Sequence, residues 1–345
     1  MIRSSLVSVG IGMVERGWVP DQVTRSAMRS LSRKRLVANG EPEDLDAFIE
    51  KARQSPIALV PEKANEQHYE VPSEFFAAIL GPRRKYSSCF WSDKQTTLAE
   101  AEDSSLEITC QRAEIADGMR ILDLGCGWGS FSLFALQQFP NVSVTAVSNS
   151  NSQREFIVSR ANEMGVGDRL HVVTADMNDF SPNEKFDRVV SIEMFEHIRN
   201  HERLLERIAG WMRADGKLFV HIFCNRSRAY EFKDNGPADW MSRYFFSGGI
   251  MPSRELLTRY RKDLQVTNTW DWNGVHYQKT LEAWLAQMDA KRDSVLELLE
   301  PVYDNPKVWY HRWRMFLMAS AELFGYDSGS EWFVTHYLFE KQSGG

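Results

Sequence analysis

Cysteine is scarce in this chain, with four in 345 residues, at positions 89, 110, 126 and 224. They form no C-x-x-C pair and no zinc spacing, so neither a disulfide framework nor a bound metal is implied, and a reducing, cytoplasmic setting suits them. An H-E-x-x-H run is missing too, which removes the commonest helical zinc site. Long hydrophobic runs are absent. Residues 1–14 are mildly apolar, but Arg3 and Glu15 bracket a stretch too short to span a bilayer, and no cleavage site follows, so no targeting segment is expected. Positive charge is not in excess either. A net charge of −6 argues against a nucleic-acid partner. The one basic cluster, Arg25, Arg29, Arg33, Lys34 and Arg35, reads as a solvated helix face, with contact to a membrane surface the less favoured alternative. No internal repeat or low-complexity stretch occurs.

What is present fits a globular enzyme: 43% hydrophobic and 26% charged residues, enough for an ample core. Aromatic residues crowd the region after position 225, which makes an aromatic-lined pocket plausible there. Apolar positions at helical spacing, among them Leu6, Val9 and Met13, then Val23, Ala27 and Leu31, then Leu45, Phe48 and Ile49, predict a helical N-terminal extension over 1–84. A short helix near 73–80, a polar and aromatic loop at 85–91 and a helix over 96–116 follow. From Met119 strands and helices alternate: strands 120–124, 143–148, 169–174, 186–192 and 216–224, and helices 129–138, 151–164 and 200–213. Near-continuous apolar strands in this alternation predict a parallel sheet covered by helices on both faces. The core is expected to run to residue 225, and an inserted cap over 226–265 interrupts the alternation. Residues 266–345 complete the sheet with helices near 280–299 and 307–324 and a last strand near 331–340.

Ligands of such sheets bind beyond the carboxyl ends of the strands. The first strand ends in Asp123-Leu124-Gly125-Cys126-Gly127-Trp128-Gly129. This G-x-G-x-G turn suits a nucleotide-like ligand, but it is not the G-x-G-x-x-G of dinucleotide sites and lacks the lysine of a phosphate-binding loop. Asp123 can organise that turn or bind an ammonium group. The second strand ends without a carboxylate, leaving Ser148 and Gln153 as polar substitutes for ribose contacts. Asp176 is placed to meet an adenine amino group, with Met177 beside it to pack on the ring. After the fourth strand come Glu193, Glu196 and His197, two carboxylates and an imidazole within five residues. Such groups are costly to bury unless paired, so they form either a structural network or a proton-handling site. If the segment turns helical, Glu193 and His197 share one face. His221 inside a strand reads as a core histidine, and His276 and Tyr277 precede a helix, where packing is an equal alternative.

Seven ordered motifs, ILDLGCGWGS, SNSNSQ, SIEMFEH, LFVHIFC, DWMSRYFFSGGIMPS, VHYQKTLEAW and AELFGYDSGSEWFVTHYLF, together resemble the coclaurine N-methyltransferase branch of the cyclopropane-fatty-acid-synthase-like methyltransferases, from about Asn65 to Lys341. The phrase VERGWVPDQVTR extends the likeness towards the N-terminus. The resemblance implies a class I α/β methyltransferase fold, a Rossmann-like, seven-stranded, mostly parallel sheet with the last strand antiparallel. It also implies S-adenosylmethionine as cofactor and a small-molecule amine as substrate, and a homodimer is compatible with it. Tyr86 and Ser87 match cofactor-loop positions, Gly125 and Gly127 with Asp123 the methionine-tail site, Ser148 and Gln153 the ribose, and Asp176 and Met177 the adenine. Glu193, Glu196 and His197 match positions around the accepting amine, with Glu193 and His197 binding it and removing its proton. His221, Tyr244, Phe245, Tyr277 and Trp332 are expected to line the substrate pocket. The alternative is a cyclopropane synthase or lipid methyltransferase acting on unsaturated acyl chains. The synthases hold a bicarbonate in a cage whose positions correspond here to Glu196, His221, Tyr277 and the backbone at Phe223. Their cage cysteine aligns with Ser88, and a loop shift of one residue would bring Cys89 into its place.

Overall fold

The computed structural model describes residues 2–38, 44–59, 71–236 and 239–342. The start of the motif resemblance, residues 65–70, and the turn at 40–42 lie outside them. Among the described residues, five helices precede the sheet: α1 (Ile2–Glu15), α2 (Asp21–Ala38), α3 (Leu45–Arg53), α4 (Ser73–Ile79) and α5 (Leu98–Arg112). α5 starts where Thr97 and Glu100 form a reciprocal capping box, satisfying two of the helix's free N–H groups. It is shorter than its apolar spacing suggested, because Glu114 takes a positive φ of 53° just past its end.

The sheet is built from β1 (Arg120–Leu124), α6 (Ser130–Gln138), β2 (Ser143–Ser148), α7 (Asn151–Glu163), β3 (Leu170–Thr174), β4 (Phe186–Ile192), α8 (His201–Trp211) and β5 (Met212–Asn225). An excursion follows, holding a two-stranded ribbon of β6 (Tyr230–Glu231) and β7 (Ile250–Met251) and the short helix α9 (Trp240–Tyr244). β8 (Leu264–Trp272), α10 (Val275–Ala290), α11 (Arg292–Leu299), α12 (Pro306–Phe324) and β9 (Trp332–Lys341) close the fold. Strand order is β3-β2-β1-β4-β5-β9-β8, with β9 the antiparallel strand between β5 and β8. Order reverses between β1 and β4, which opens a crevice over their carboxyl ends.

The segment expected as one helix over 280–299 is two helices that break at Lys291 (φ −111°, ψ 28°). The apolar spacing continues across the break through Met288, Val295 and Leu299, so periodicity cannot reveal it. The first of the two begins earlier than expected. Asn273 accepts the Val275 N–H at 2.8 Å, and His276 and Tyr277 lie in the first turn rather than ahead of it.

One core cluster joins α4, α10 and α12 around Phe75, Phe76, Trp128, Trp284 and Trp313. Each such fully buried aromatic contributes about 1.5–3 kcal/mol over its exposed state. The N-terminal helices dock on this cluster by ion pairs: Glu15 with Arg312 at 2.9 Å, Asp21 with Arg314 at 2.7 Å, and Arg25 with Glu282 and Glu322 at 2.6 and 3.0 Å. Arg29 also meets Glu322, at 2.7 Å. Two members of the basic cluster are therefore interhelical ties, not a solvated face.

Candidate active site

The glycine turn needs its glycines for different reasons. Gly125, Gly127 and Gly129 all have positive φ, at 76°, 52° and 75°. A Cβ at Gly125 would lie 2.6 Å from the Met194 side chain, whereas one at Gly127 would meet no protein atom within 4 Å and would project into the space above the strand ends. The crevice there is lined by Gly125, Gly127, Ser148, Gln153, Asp176, Met177, Glu193 and His197, so eight of the residues singled out from sequence meet in one place. Ala58 lines it too. Ala58 and Asn178 exchange hydrogen bonds at 3.1 and 3.2 Å, and Asn178 also holds Asp176 at 2.8 Å, so the chain ahead of the sheet helps shape this pocket.

Several buried polar groups here have donors or acceptors to spare. Ser148 donates to Gln153 Oε1 at 2.6 Å, which leaves Gln153 Nε2 buried with no protein partner. Asp123, buried beneath the turn, accepts one hydrogen bond, from Ser132 at 2.6 Å. Burial pushes the Asp123 carboxyl up to about 7, with Ser132 opposing. Its folded value lies above the ordinary 3.8, so the cost of ionising it is absent at low pH, grows as pH rises between the two values and is complete above about 7. Asp123→Asn is accordingly expected to raise Tm more at about pH 8 than at about pH 5, and to weaken a ligand with a cationic tail. Thermal unfolding at both pH values checks this, and equal shifts would sink it.

Past the glycine turn lies a second, drier cluster. Glu193 sits just after β4 with φ 49°, and its N–H donates to the His221 carbonyl at 2.8 Å. This turns the side chain towards β5. One carboxylate oxygen accepts from the Ser88 N–H at 2.9 Å and lies 3.2 Å from His221 Nε2, and the other accepts from the Tyr277 hydroxyl at 2.6 Å. Lys85, 1% exposed, donates to Ser87 Oγ and the Ser88 carbonyl, both at 2.6 Å, and braces the loop that supplies the Ser88 amide. Burial pushes the Glu193 carboxyl up, while Lys85, the Ser88 amide and Tyr277 pull it back down. With the Ser88 and Tyr277 donors and Lys85 nearby, the ionised form is the one this geometry favours.

Glu196 is its opposite. It is 1% exposed, its Oε2 has no hydrogen-bond partner in the protein, and burial together with the Glu193 charge pushes its carboxyl well up. Residues 195–197 form one 3₁₀ turn, and the His197 ring stacks on Phe246, centroids 5.2 Å apart and planes at 14°. Glu193 and His197 therefore do not share one helical face: the positive φ at Glu193 sends them to opposite neighbours.

Of the other expected pocket residues, His221 and Tyr277 join the Glu193 cluster. Tyr244, Phe245 and Trp332 pack elsewhere. Phe245 stacks on Phe316 at 4.5 Å, Arg312 lies over Tyr244, and Trp332 donates to the Tyr230 hydroxyl at 3.3 Å. Tyr86 packs between Phe76 and Trp284. Cys89 does not shift into the cluster. Its amide donates to Thr280, its sulfur faces the Ser87 carbonyl, and burial pushes the thiol up to about 12. Sequence reasoning missed Lys85 and His336, and placed Phe246 in the cap without singling it out as a site residue. For Phe246 the signal was present: it neighbours Phe245, but α9 ends at Tyr244 and the following turn sends Phe245 inward and Phe246 towards His197, Phe223 and Phe232.

The sheet order and the placement of the crevice define a class I methyltransferase fold. The family model for mycolic acid cyclopropane synthetases matches residues 60–330. The (S)-coclaurine N-methyltransferase of Thalictrum flavum subsp. glaucum is 35% identical, over 95% of this chain and 94% of that protein. A crystal structure of coclaurine N-methyltransferase bound to N-methylheliamine and SAH is 34% identical, covers 96% of this chain and 98% of that one, and superposes with a TM-score of 0.92. The cyclopropane synthase MmaA2 of Mycobacterium tuberculosis shares the fold at a TM-score of 0.70 and 23% identity, covering 81% of this chain and 98% of that one. The chain belongs to the mycolic acid cyclopropane synthetase family and, within it, to the branch of the coclaurine N-methyltransferases.

Proposed function

We propose that the chain is an S-adenosylmethionine-dependent methyltransferase that methylates the nitrogen of a small aromatic amine, of the kind named for its coclaurine-methylating relatives. The observation that carries the acceptor site is the buried Glu196 carboxyl, whose Oε2 has no partner, one residue before the stacked His197. Burial and the Glu193 charge disfavour the ionised form of Glu196, and a cationic amine offers that form its counter-charge, while the rings of Phe246, Phe223 and Phe232 provide an apolar and cation-tolerant wall. His197 takes the amine's proton, which frees the nitrogen lone pair.

The free groups of the crevice fit the cofactor. Asp123 suits its ammonium, Gln153 Nε2 and Ser148 its ribose, the remaining acceptor capacity of Asp176 its adenine, and the space beside Gly127 its tail. Bound there, S-adenosylmethionine supplies an electrophilic methyl group on a sulfonium. The protein's part is alignment and exclusion of water, with a smaller share of acid–base help.

The lipid-modifying alternative asks for a bicarbonate among His221, Tyr277 and the Ser88 loop. In this chain those donors already hold the carboxylate of Glu193, which supports the amine reading. Glu193 thus anchors the site, and Glu196 is the carboxylate that meets the amine. Glu196→Gln should raise KM for the amine by about 10–100-fold, the worth of one charge-assisted hydrogen bond, with cofactor affinity unchanged. Steady-state kinetics with the amine varied measures this, and an unaltered KM would return the amine to Glu193.

A further inference from the structure

The partners of Glu193 do not end the network. Behind His221, its Nδ1 lies 2.9 Å from His336 Nε2, and His336 Nδ1 lies 3.0 Å from an Arg112 guanidinium nitrogen. The antiparallel register of β5 and β9 places His221 directly opposite His336, and α5 brings Arg112 to the far side. Both imidazoles are 0% exposed and boxed by rings. Trp272 lies 4.3 Å from His336 and 5.4 Å from His221, and Phe219 lies 4.9 Å from His336. Burial pushes both histidines well below the ordinary imidazole value, so each is neutral and carries one ring proton.

A neutral imidazole has two tautomers, and its neighbours choose between them. A guanidinium can only donate. The Arg112 N–H therefore claims the lone pair of His336 Nδ1, which leaves the His336 proton on Nε2. That proton points at His221 Nδ1, which must accept it, and the His221 proton is then on Nε2, facing Glu193. Every hydrogen bond in the row runs one way, from Arg112 through His336 and His221 to Glu193.

We propose that Arg112 and His336 are positioning residues of the methyl-transfer site: by fixing the tautomers of two buried histidines they make His221 a donor to Glu193 and hold that carboxylate ionised and in place. Without the guanidinium the row can reverse. His336 then carries its proton on Nδ1, His221 follows, and a nitrogen lone pair faces the Glu193 oxygen. The carboxylate must then rotate or take up a proton, and the site loses the negative charge that Tyr277 and the Ser88 loop are arranged around. The functional half of this proposal rests on the N-methyltransferase reading. The tautomer half does not.

The test uses the full chain labelled with ¹⁵N. Long-range ¹H–¹⁵N spectra report which ring nitrogen carries the proton, and the His221 and His336 signals are assigned by their loss in His221→Gln and His336→Gln. In the wild type both rings are expected as Nε2–H tautomers. Arg112→Met, which keeps an apolar stem against Trp270 and Trp272, should move His336 to Nδ1–H or to a mixture and lower kcat about tenfold with the KM for cofactor unchanged, while Arg112→Lys, which can still donate, should restore both. A wild-type spectrum with either ring protonated on Nδ1, or on both nitrogens, overturns the proposal even if Arg112→Met fails to fold. A reversed tautomer with unchanged kcat overturns the functional half alone. If no amine is methylated by the wild type, the spectra still decide the tautomers, so failure of the substrate reading is distinguishable from failure of the relay.

Discussion

His197→Ala is expected to lower kcat for amine methylation by about 10²-fold while leaving cofactor affinity within about twofold. Two features separate the effects. His197 reaches the site at the end of a single 3₁₀ turn, outside the strands, with its ring stacked on Phe246, so its removal leaves the sheet ladder untouched. It also lines the crevice without hydrogen-bonding the Ser148–Gln153 pair, to which the proposed reading gives the ribose. Under the proposed function, loss of the imidazole removes a proton acceptor and an aromatic contact to the amine and spares the cofactor. The comparison to make is kcat against the dissociation constant of the cofactor measured by calorimetry. Unchanged turnover would remove His197 from the chemistry, and a matching loss of cofactor affinity would make it a binding residue.

Glu193→Ala should be the most damaging substitution to the fold, destabilising the protein by about 3–5 kcal/mol. Glu193 is the shared acceptor of Ser88, His221 and Tyr277, and Lys85 is buried close enough to pull on its ionisation. Truncation leaves three donors and an ammonium in a dry site with no acceptor, and each orphaned donor costs about 1–3 kcal/mol. Glu193→Gln keeps one acceptor oxygen and the same volume, so it should lose less. Urea unfolding of the three proteins gives the order: alanine lowest, glutamine between, wild type highest. An alanine variant as stable as wild type would mean that water replaces the carboxylate and that the cluster is not a stabilising unit.

The parts of this site visible in sequence are those set by local chain chemistry. Gly125, Gly127 and Gly129 mark a positive-φ turn by residue type alone, and the alternation of apolar strands and helices places Ser148, Asp176 and Glu193 at strand ends, which is where they lie. The parts not visible depend on chain conformations that residue type does not signal. Glu193 is a non-glycine residue with φ 49°, and that one angle decides that it faces His221 and not His197. The partnership of His221 with His336 depends on the β5–β9 register across 115 residues of sequence, and that of Lys85 with the Ser88 loop on a fold-back between neighbours. The exchange of Phe245 for Phe246 turns on where a five-residue helix stops.

The proposed amine site at Glu196, whose buried Oε2 has no partner, is tested most directly by offering the purified protein S-adenosylmethionine carrying a labelled methyl group, in parallel with a panel of primary, secondary and tertiary aromatic amines and with phospholipid vesicles rich in unsaturated acyl chains. Label recovered on the nitrogen of an amine, with the lipid left unlabelled, is the predicted result. Label in the acyl chains with no amine methylated would contradict it.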